Sequence, residues 1–146
     1  MSFNYLTNID PIINILPTTT TTTLNDTPTT FTLQLEQLSL WHNEIEIEQI
    51  YKLAQILEIN KTLRKLNLSE NNIGNDGAIA FAKSLENNQT LETLEIFGNN
   101  ISTLGAIKLC DLLEKYNASI IVLDLRFNLI TCKFDNIYFL CTSTSH

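Results

Sequence analysis

From Leu35 onward the chain repeats itself with a period of 28 residues, and no other feature constrains its fold as much. A displacement of 28 lays Leu35, Leu38, Leu40, Asn43 and Ile45 onto Leu63, Leu66, Leu68, Asn71 and Ile73. A second displacement reaches Leu91, Leu94, Ile96, Asn99 and Ile101, and a last one of 29 reaches Ile120, Leu123, Leu125, Asn128 and Ile130. The shared pattern is L-x-x-L-x-L-x-x-N-x-I. Apolar coincidences are cheap in a chain with 23 Leu and 18 Ile, but four asparagines in register are not.

The pattern has a physical reading. L-x-L is a period of 2, so both leucines of a short strand point to one side and their neighbours to the other. Such a strand cannot pair with itself, and successive copies must stack into a parallel sheet. The asparagine ends the strand, because its amide can serve the backbone of the following turn as donor and as acceptor. Each turn then feeds a helix. Ala78, Phe81, Ala82 and Leu85 recur at i, i+3, i+4, i+7, a stripe that faces the sheet. Ile50, Leu53, Ala54 and Leu57 repeat it upstream, and Ala106, Leu109, Cys110 and Leu113 downstream. Asn75 or Asp76 is expected to cap the second repeat's helix at its start and Asn87-Asn88 at its end. Helices are wider than strands, so the stack curves with its strands inside.

This unit resembles the leucine-rich repeats of the ribonuclease-inhibitor type, most of all those of nucleotide-binding leucine-rich-repeat receptors. The resemblance is carried by Asn71-Asn72-Ile73-Gly74-Asn75-Asp76-Gly77-Ala78 and by Leu85-Glu86-Asn87-Asn88-Gln89-Thr90-Leu91, and it covers residues 35 to about 130. It implies an α/β leucine-rich repeat solenoid, a horseshoe arc of about four 28-residue strand-turn-helix repeats with parallel inner strands and outer helices. The first repeat departs from it, with Gln49 where the next two have Gly77 and Gly105. Beyond Ile130 the pattern fades, and Phe134, Ile137, Tyr138 and Leu140-Cys141 suggest a partial last helix. No nucleotide-binding module accompanies the repeats, so the chain reads as a fragment of a larger array or a short relative.

Both ends differ from the repeats. Residues 1–30 hold an unbroken threonine run, Thr18 to Thr23, between Pro17 and Asn25-Asp26-Thr27-Pro28, which reads as a flexible Thr-rich lead-in. Within it Ile12-Ile13-Asn14-Ile15-Leu16 is apolar enough to dock. The repeat domain then spans 31–141, and 142–146 is a polar tail. The first basic residue is Lys52, so a secretory signal and a transit peptide both lack their cations. No apolar run approaches a membrane span. Six Asn-x-Ser/Thr triplets begin at Asn25, Asn60, Asn67, Asn88, Asn100 and Asn117; without a signal they read as coincidences of an Asn- and Thr-rich composition. Three cysteines, Cys110, Cys132 and Cys141, make no disulfide framework, and a reducing, cytoplasmic setting follows. The net charge of −7 disfavours nucleic acid and anionic membrane as partners.

Catalytic templates fail. None of Gly74, Gly77, Gly98 and Gly105 lies in a phosphate-binding loop, and no cofactor is expected. His42-Asn43-Glu44 is not H-E-x-x-H, and only His146 could join it, so no metal site is expected. What remains is the strand face turned away from the helices. Its rows are Gln37, Lys65, Thr93, Val122; then Ser39, Asn67, Glu95, Asp124; then Trp41, Ser69, Phe97, Arg126. Large aromatics and arginine are the types enriched at binding hot spots. A non-enzymatic module binding a protein partner through Trp41, Lys65, Ser69, Glu95, Phe97, Asp124 and Arg126 is the first expectation. Glu95 beside Asp124 invites an ordinary ion pair with Lys65 or Arg126. The repeats also resemble those of Ran-type GTPase activators, with Arg126 as the one candidate for that role. As a degenerate fragment, the chain would instead leave its last core face bare past Ile130 and self-associate through an uncapped C-terminal end.

Overall fold

The computed structural model describes residues 8–16, 19–24, 27–32, 35–131 and 138–140. In chain order its elements are α1 (Asp10–Ile15), β1 (Thr19–Leu24), β2 (Thr27–Thr32), β3 (Gln37–Ser39), α2 (Ile47–Ile59), β4 (Lys65–Asn67), α3 (Gly74–Asn87), β5 (Thr93–Glu95), α4 (Thr103–Tyr116), β6 (Val122–Asp124) and β7 (Tyr138–Leu140). Strands β3 to β6 pair in sequence order and in parallel, each neighbour reached through one helix. The register is that of the repeat: Leu38, Leu66, Leu94 and Leu123 form one row, pointing toward the helices. Leu66 and Leu94 are fully buried, while Leu38, on the edge strand, is half-buried. Helix α2 packs on α3 and α3 on α4, and Phe81, Leu85, Ile50, Leu57 and Leu109 fill the layer between helices and sheet. The architecture is an α/β leucine-rich repeat solenoid.

Buried or half-buried asparagines close both ends of the repeats. After the strand, Asn71 Nδ2 donates to the carbonyls of Leu40, Leu68 and Ser69, and Asn99 Nδ2 to those of Leu68 and Phe97. Asn99 Oδ1 accepts from the amides of Asn71, Asn72 and Ile73, and Asn128 Oδ1 from those of Asn99 and Ile101. Each asparagine therefore ties its own turn to the preceding one. The ladder ends at Asn71 Oδ1, which is buried with no hydrogen-bond partner among the described residues.

A second ladder runs along the helix-to-strand returns. Asn88 Nδ2 donates to Leu57 O and Asn60 O, and its Oδ1 accepts from the amides of Thr90 and Leu91. Asn117 repeats this with Leu85 O, Asn88 O, Ser119 N and Ile120 N. Asn60 does so with Leu16 O, Thr62 N and Leu63 N. Three of the Asn-x-Ser/Thr triplets, at Asn60, Asn88 and Asn117, thus have a structural cause: the asparagine bridges the returns, and the next residues close its loop.

The acceptor at Leu16 explains the N-terminal segment. Its carbonyl stands where Leu57 and Leu85 present theirs in later repeats, so α1 occupies the place of a preceding repeat's helix. Ile9, Ile13 and Leu16 are buried and Ile12 is partly buried, the same i, i+3, i+4, i+7 stripe, and α1 packs on α2. Six residues are too few for a helix stable by itself. Asn8 Oδ1 accepting from Asp10 N, Pro11 in the first turn and docking on α2 together hold it. The flexible lead-in expected over residues 1–30 therefore does not describe Asn8–Leu16. Beyond it, β1 and β2 form a separate antiparallel pair, Thr19 opposite Thr32 through Leu24 opposite Thr27.

Gln49 follows from the same arrangement. An alanine Cβ at Gly77 would lie 2.3 Å from Ile73 Cγ2 and 3.1 Å from Ile50 Cγ2, and one at Gly105 would lie 2.3 Å from Asn75 Oδ1. Those glycines admit a close approach between neighbouring loops and helices. The first repeat packs on the short α1, and buried Gln49 fills the space: its Oε1 accepts from Ile9 N at 2.6 Å and its Nε2 donates to Asn8 Oδ1 at 2.9 Å.

Two local expectations need correction. Helix α3 starts at Gly74 without a side-chain cap, and Asn75 reaches forward instead, its Oδ1 accepting from the backbone N–H and hydroxyl of Ser102, the N-cap residue of α4. The partial last helix is not found at Tyr138–Leu140, which is strand β7, antiparallel to β6. It covers the edge of β6, so the sheet is not uncapped at its C-terminal end. Phe134, Ile137 and Cys141 lie outside the described residues. No helix among the described residues is long and apolar enough to cross a membrane.

Candidate partner-binding face

The rows expected on the open face of the sheet are the rows of the register. Gln37, Lys65, Thr93 and Val122 pair across β3 to β6, and Ser39, Asn67, Glu95 and Asp124 pair beside them. The third row lies just past the strands, continued by amide bonds from Leu40 to Asn67 O and from His42 to Ser69 O. A shallow groove of about 300 Å³ runs over β3, β4 and β5, lined by Gln37, Ser39, Lys65, Asn67, Thr93 and Glu95 together with Leu38 and Leu66.

The seven candidate residues divide. Trp41 is 50% exposed with its ring 5.4 Å from that of His42, and Lys65 is exposed. Phe97, Glu95 and Asp124 are half-buried, and Arg126 is exposed. Ser69 is the exception: at 4% exposure it cannot touch a partner through its side chain as the face stands. Asn67 Oδ1 folds back to accept from Ser69 N at 2.9 Å. Asp124 makes the same turn, accepting from Arg126 N at 3.1 Å.

Arg126 is then drawn onto Asp124 at two points, Nε to Oδ1 at 2.9 Å and Nη2 to Oδ2 at 2.7 Å. The hydrogen bond from Arg126 holds the Asp124 carboxyl below the usual carboxylate range, against the opposing effect of burial. Arg64 pairs with Glu92 at the other end of the strands. His42 Nδ1 lies 2.6 Å from Glu70 Oε2; the carboxylate only accepts, so Nδ1 carries the hydrogen. Lys65 and Glu95 have no ion-pair partner among the described residues.

One residue of this face is outside the seven. Phe127 is 81% exposed and packs edge-on to Phe97, with centroids 5.2 Å apart and planes at 81°. It holds a left-handed backbone, φ 54°, at the place where Gly98 has φ 63°, Glu70 55° and His42 54°. A bulky side chain there costs about 1–2 kcal/mol relative to glycine. The period could have found it, because Gly98 moved by 29 residues falls on Phe127. Among the described residues no group of three or more His, Cys, Asp and Glu is placed to hold a metal ion.

The fold is that of a leucine-rich repeat solenoid. A family model described as Leucine Rich repeat matches residues 60–82 and 87–110. Among solved structures the chain is similar to leiomodin-1 actin-binding site 2, with 22% identity over 64% of this chain and a TM-score of 0.58. The match spans 53% of that chain, about half its length. No curated protein matches.

Proposed function

We propose that the chain is a non-enzymatic protein-interaction module whose docking face is the open, concave side of β3 to β6 with the turns that follow them. The observation that carries this reading is the concentration of unspent binding groups there: exposed Trp41, the Phe97–Phe127 pair, and the unpaired charges of Lys65 and Glu95. Aromatic anchors beside unsatisfied charge are what hot spots are made of. The 28-residue period with one helix per strand supports repeats of the ribonuclease-inhibitor type, as in nucleotide-binding receptor arrays. An open face of four short strands is small against the ~800 Å² per side of a standard interface, so turns carrying Phe127 and His42 belong to the docking area. The likeness to an actin-binding structure is one of fold alone. A reducing, cytoplasmic location fits the cysteine content.

The GTPase-activating reading rests on Arg126, and that side chain is forked onto Asp124. An activating arginine must be free to reach the nucleotide, so nothing favours this second reading.

The test is affinity capture with the wild-type chain and with a variant carrying Trp41→Ala and Phe97→Ala, each shown by circular dichroism to be folded. Loss of the same identified partner in that variant, with retention in an Ile107→Ala control on the helical side, is the expected result. Equal capture by both variants would place the docking surface elsewhere.

A further inference from the structure

On the sheet face several charges already have partners: Arg126 pairs with Asp124, Arg64 with Glu92, and the Glu70 carboxylate is hydrogen-bonded to His42. Glu36, in the row of Arg64 and Glu92, has no ion-pair partner among the described residues but lies outside the groove. Within the groove Lys65 and Glu95 are left over, on the adjacent strands β4 and β5 and two positions apart along them. Strand spacing and rise put their Cα atoms ~8 Å apart on the diagonal. The other polar lining of the groove, Gln37, Ser39, Asn67 and Thr93, is neutral and can both donate and accept. The groove is therefore dipolar, with one cation, one anion and an uncharged bed.

An extended polypeptide presents successive side chains on one face ~6.6 Å apart. Lys and Glu are long enough to take up the remaining difference. Building on the docking face proposed above, we infer that this groove takes an extended segment of the partner in which an acidic and a basic residue are separated by a single residue. The acidic side chain meets Lys65 and the basic one meets Glu95. Phe97 follows Glu95 by two positions on the same face, so its ring flanks the basic group and adds a cation–π contact. A segment with two cations sets one of them against Lys65, and one with two anions sets one against Glu95. Selection is thus by charge pattern, not by net charge.

The probes are three capped Thr/Ser heptapeptides that differ only in a central Glu-Thr-Arg, Glu-Thr-Glu or Arg-Thr-Arg. Binding at low ionic strength is read from the fluorescence of Trp41, the chain's single tryptophan, and from NMR shifts of the Lys65 and Glu95 amides. The wild type should bind Glu-Thr-Arg about fivefold more tightly than either like-charged peptide, the size of one well-placed surface charge contact. Lys65→Glu should move the preference to Arg-Thr-Arg by a similar factor, and added salt should flatten both preferences. An unchanged ranking in Lys65→Glu, or no binding by either readout, overturns the inference. If the Trp41/Phe97 variant still loses its partner while the peptides are not discriminated, the docking face stands and only this account of its selectivity falls.

Discussion

Replacing Asn88 by alanine should destabilise the chain far more than replacing its neighbour Asn87, although the two side chains are identical. Asn88 is fully buried and its amide serves four backbone groups at 2.6 to 2.9 Å. Leu57 O keeps a second partner in Asn60 N, so its loss is small. Asn60 O and the amide of fully buried Leu91 lose theirs outright, and the half-buried Thr90 amide rehydrates in part. At about 1–3 kcal/mol for each stranded buried group, the total is about 3–5 kcal/mol. Against a domain stability of about 5–15 kcal/mol this is large, and with a urea slope near ~2 kcal/mol/M it lowers the midpoint by about 2 M. Asn87 is exposed and bonds only Glu58 Oε1 on the surface, so Asn87→Ala should stay within about 0.5 kcal/mol. Asn88→Asp separates donor from acceptor: it keeps the oxygen facing Thr90 and Leu91 but turns a carboxylate toward two carbonyls. Burial there raises the folded pKa above the unfolded ~3.9, so this variant is least damaged below that pH and loses stability as pH rises through the folded value. Urea unfolding followed by far-UV circular dichroism measures all three. Equal midpoints for Asn88→Ala and Asn87→Ala would refute the ladder as a source of stability.

Other expectations follow from single contacts. Gly77→Ala gains about 1 kcal/mol of helix propensity but sets a methyl 2.3 Å from Ile73 Cγ2; overpacking should win, lowering Tm, and a raised Tm would contradict it. Gln49→Ala removes two polar anchors of α1 and leaves Lys52 on Asp10 and Asn60 on Leu16 O, so hydrogen exchange at its N-terminal end, Asn8 and Ile9, should accelerate selectively while the amides of β5 keep their protection. Asp124→Asn tests the charge pair with Arg126. The depressed folded pKa means the carboxylate stabilises the fold above its unfolded value and loses this as pH falls through the folded one. The stability gap between wild type and Asp124→Asn should hold at neutral pH and close below about pH 4; a gap independent of pH would mean that the pair contributes nothing.

The rows of the face are legible in the sequence. Rows 37/65/93/122 and 39/67/95/124 follow from a period of 28 and the alternation of a strand, and they are the rows that pair. The burial of Ser69 was not legible, because the same row position is exposed at Trp41 and Arg126 and only the packing of the fold separates them. Nor was the choice of Arg126 for Asp124 over Glu95, which the register sets side by side on β6 and β5. The turn that Asp124 makes with the Arg126 amide brings its carboxylate to the guanidinium and leaves Glu95 open.

The repeat alone determined that strands stack in parallel, that leucines face helices and that an asparagine closes each turn, because these demands are local and return every 28 residues. Tertiary structure decided what happens where the period breaks. The stripe Ile9, Ile12, Ile13, Leu16 lies outside the 28-residue register, and only its docking on α2, with Leu16 O on Asn60 and Ile9 N on Gln49, makes it the helix of a missing repeat. Tyr138–Leu140 became a strand because the edge of β6 offers unpaired backbone groups that a strand satisfies and a helix does not. A period can prescribe only contacts between its own copies, and neither α1 nor β7 is one of those copies.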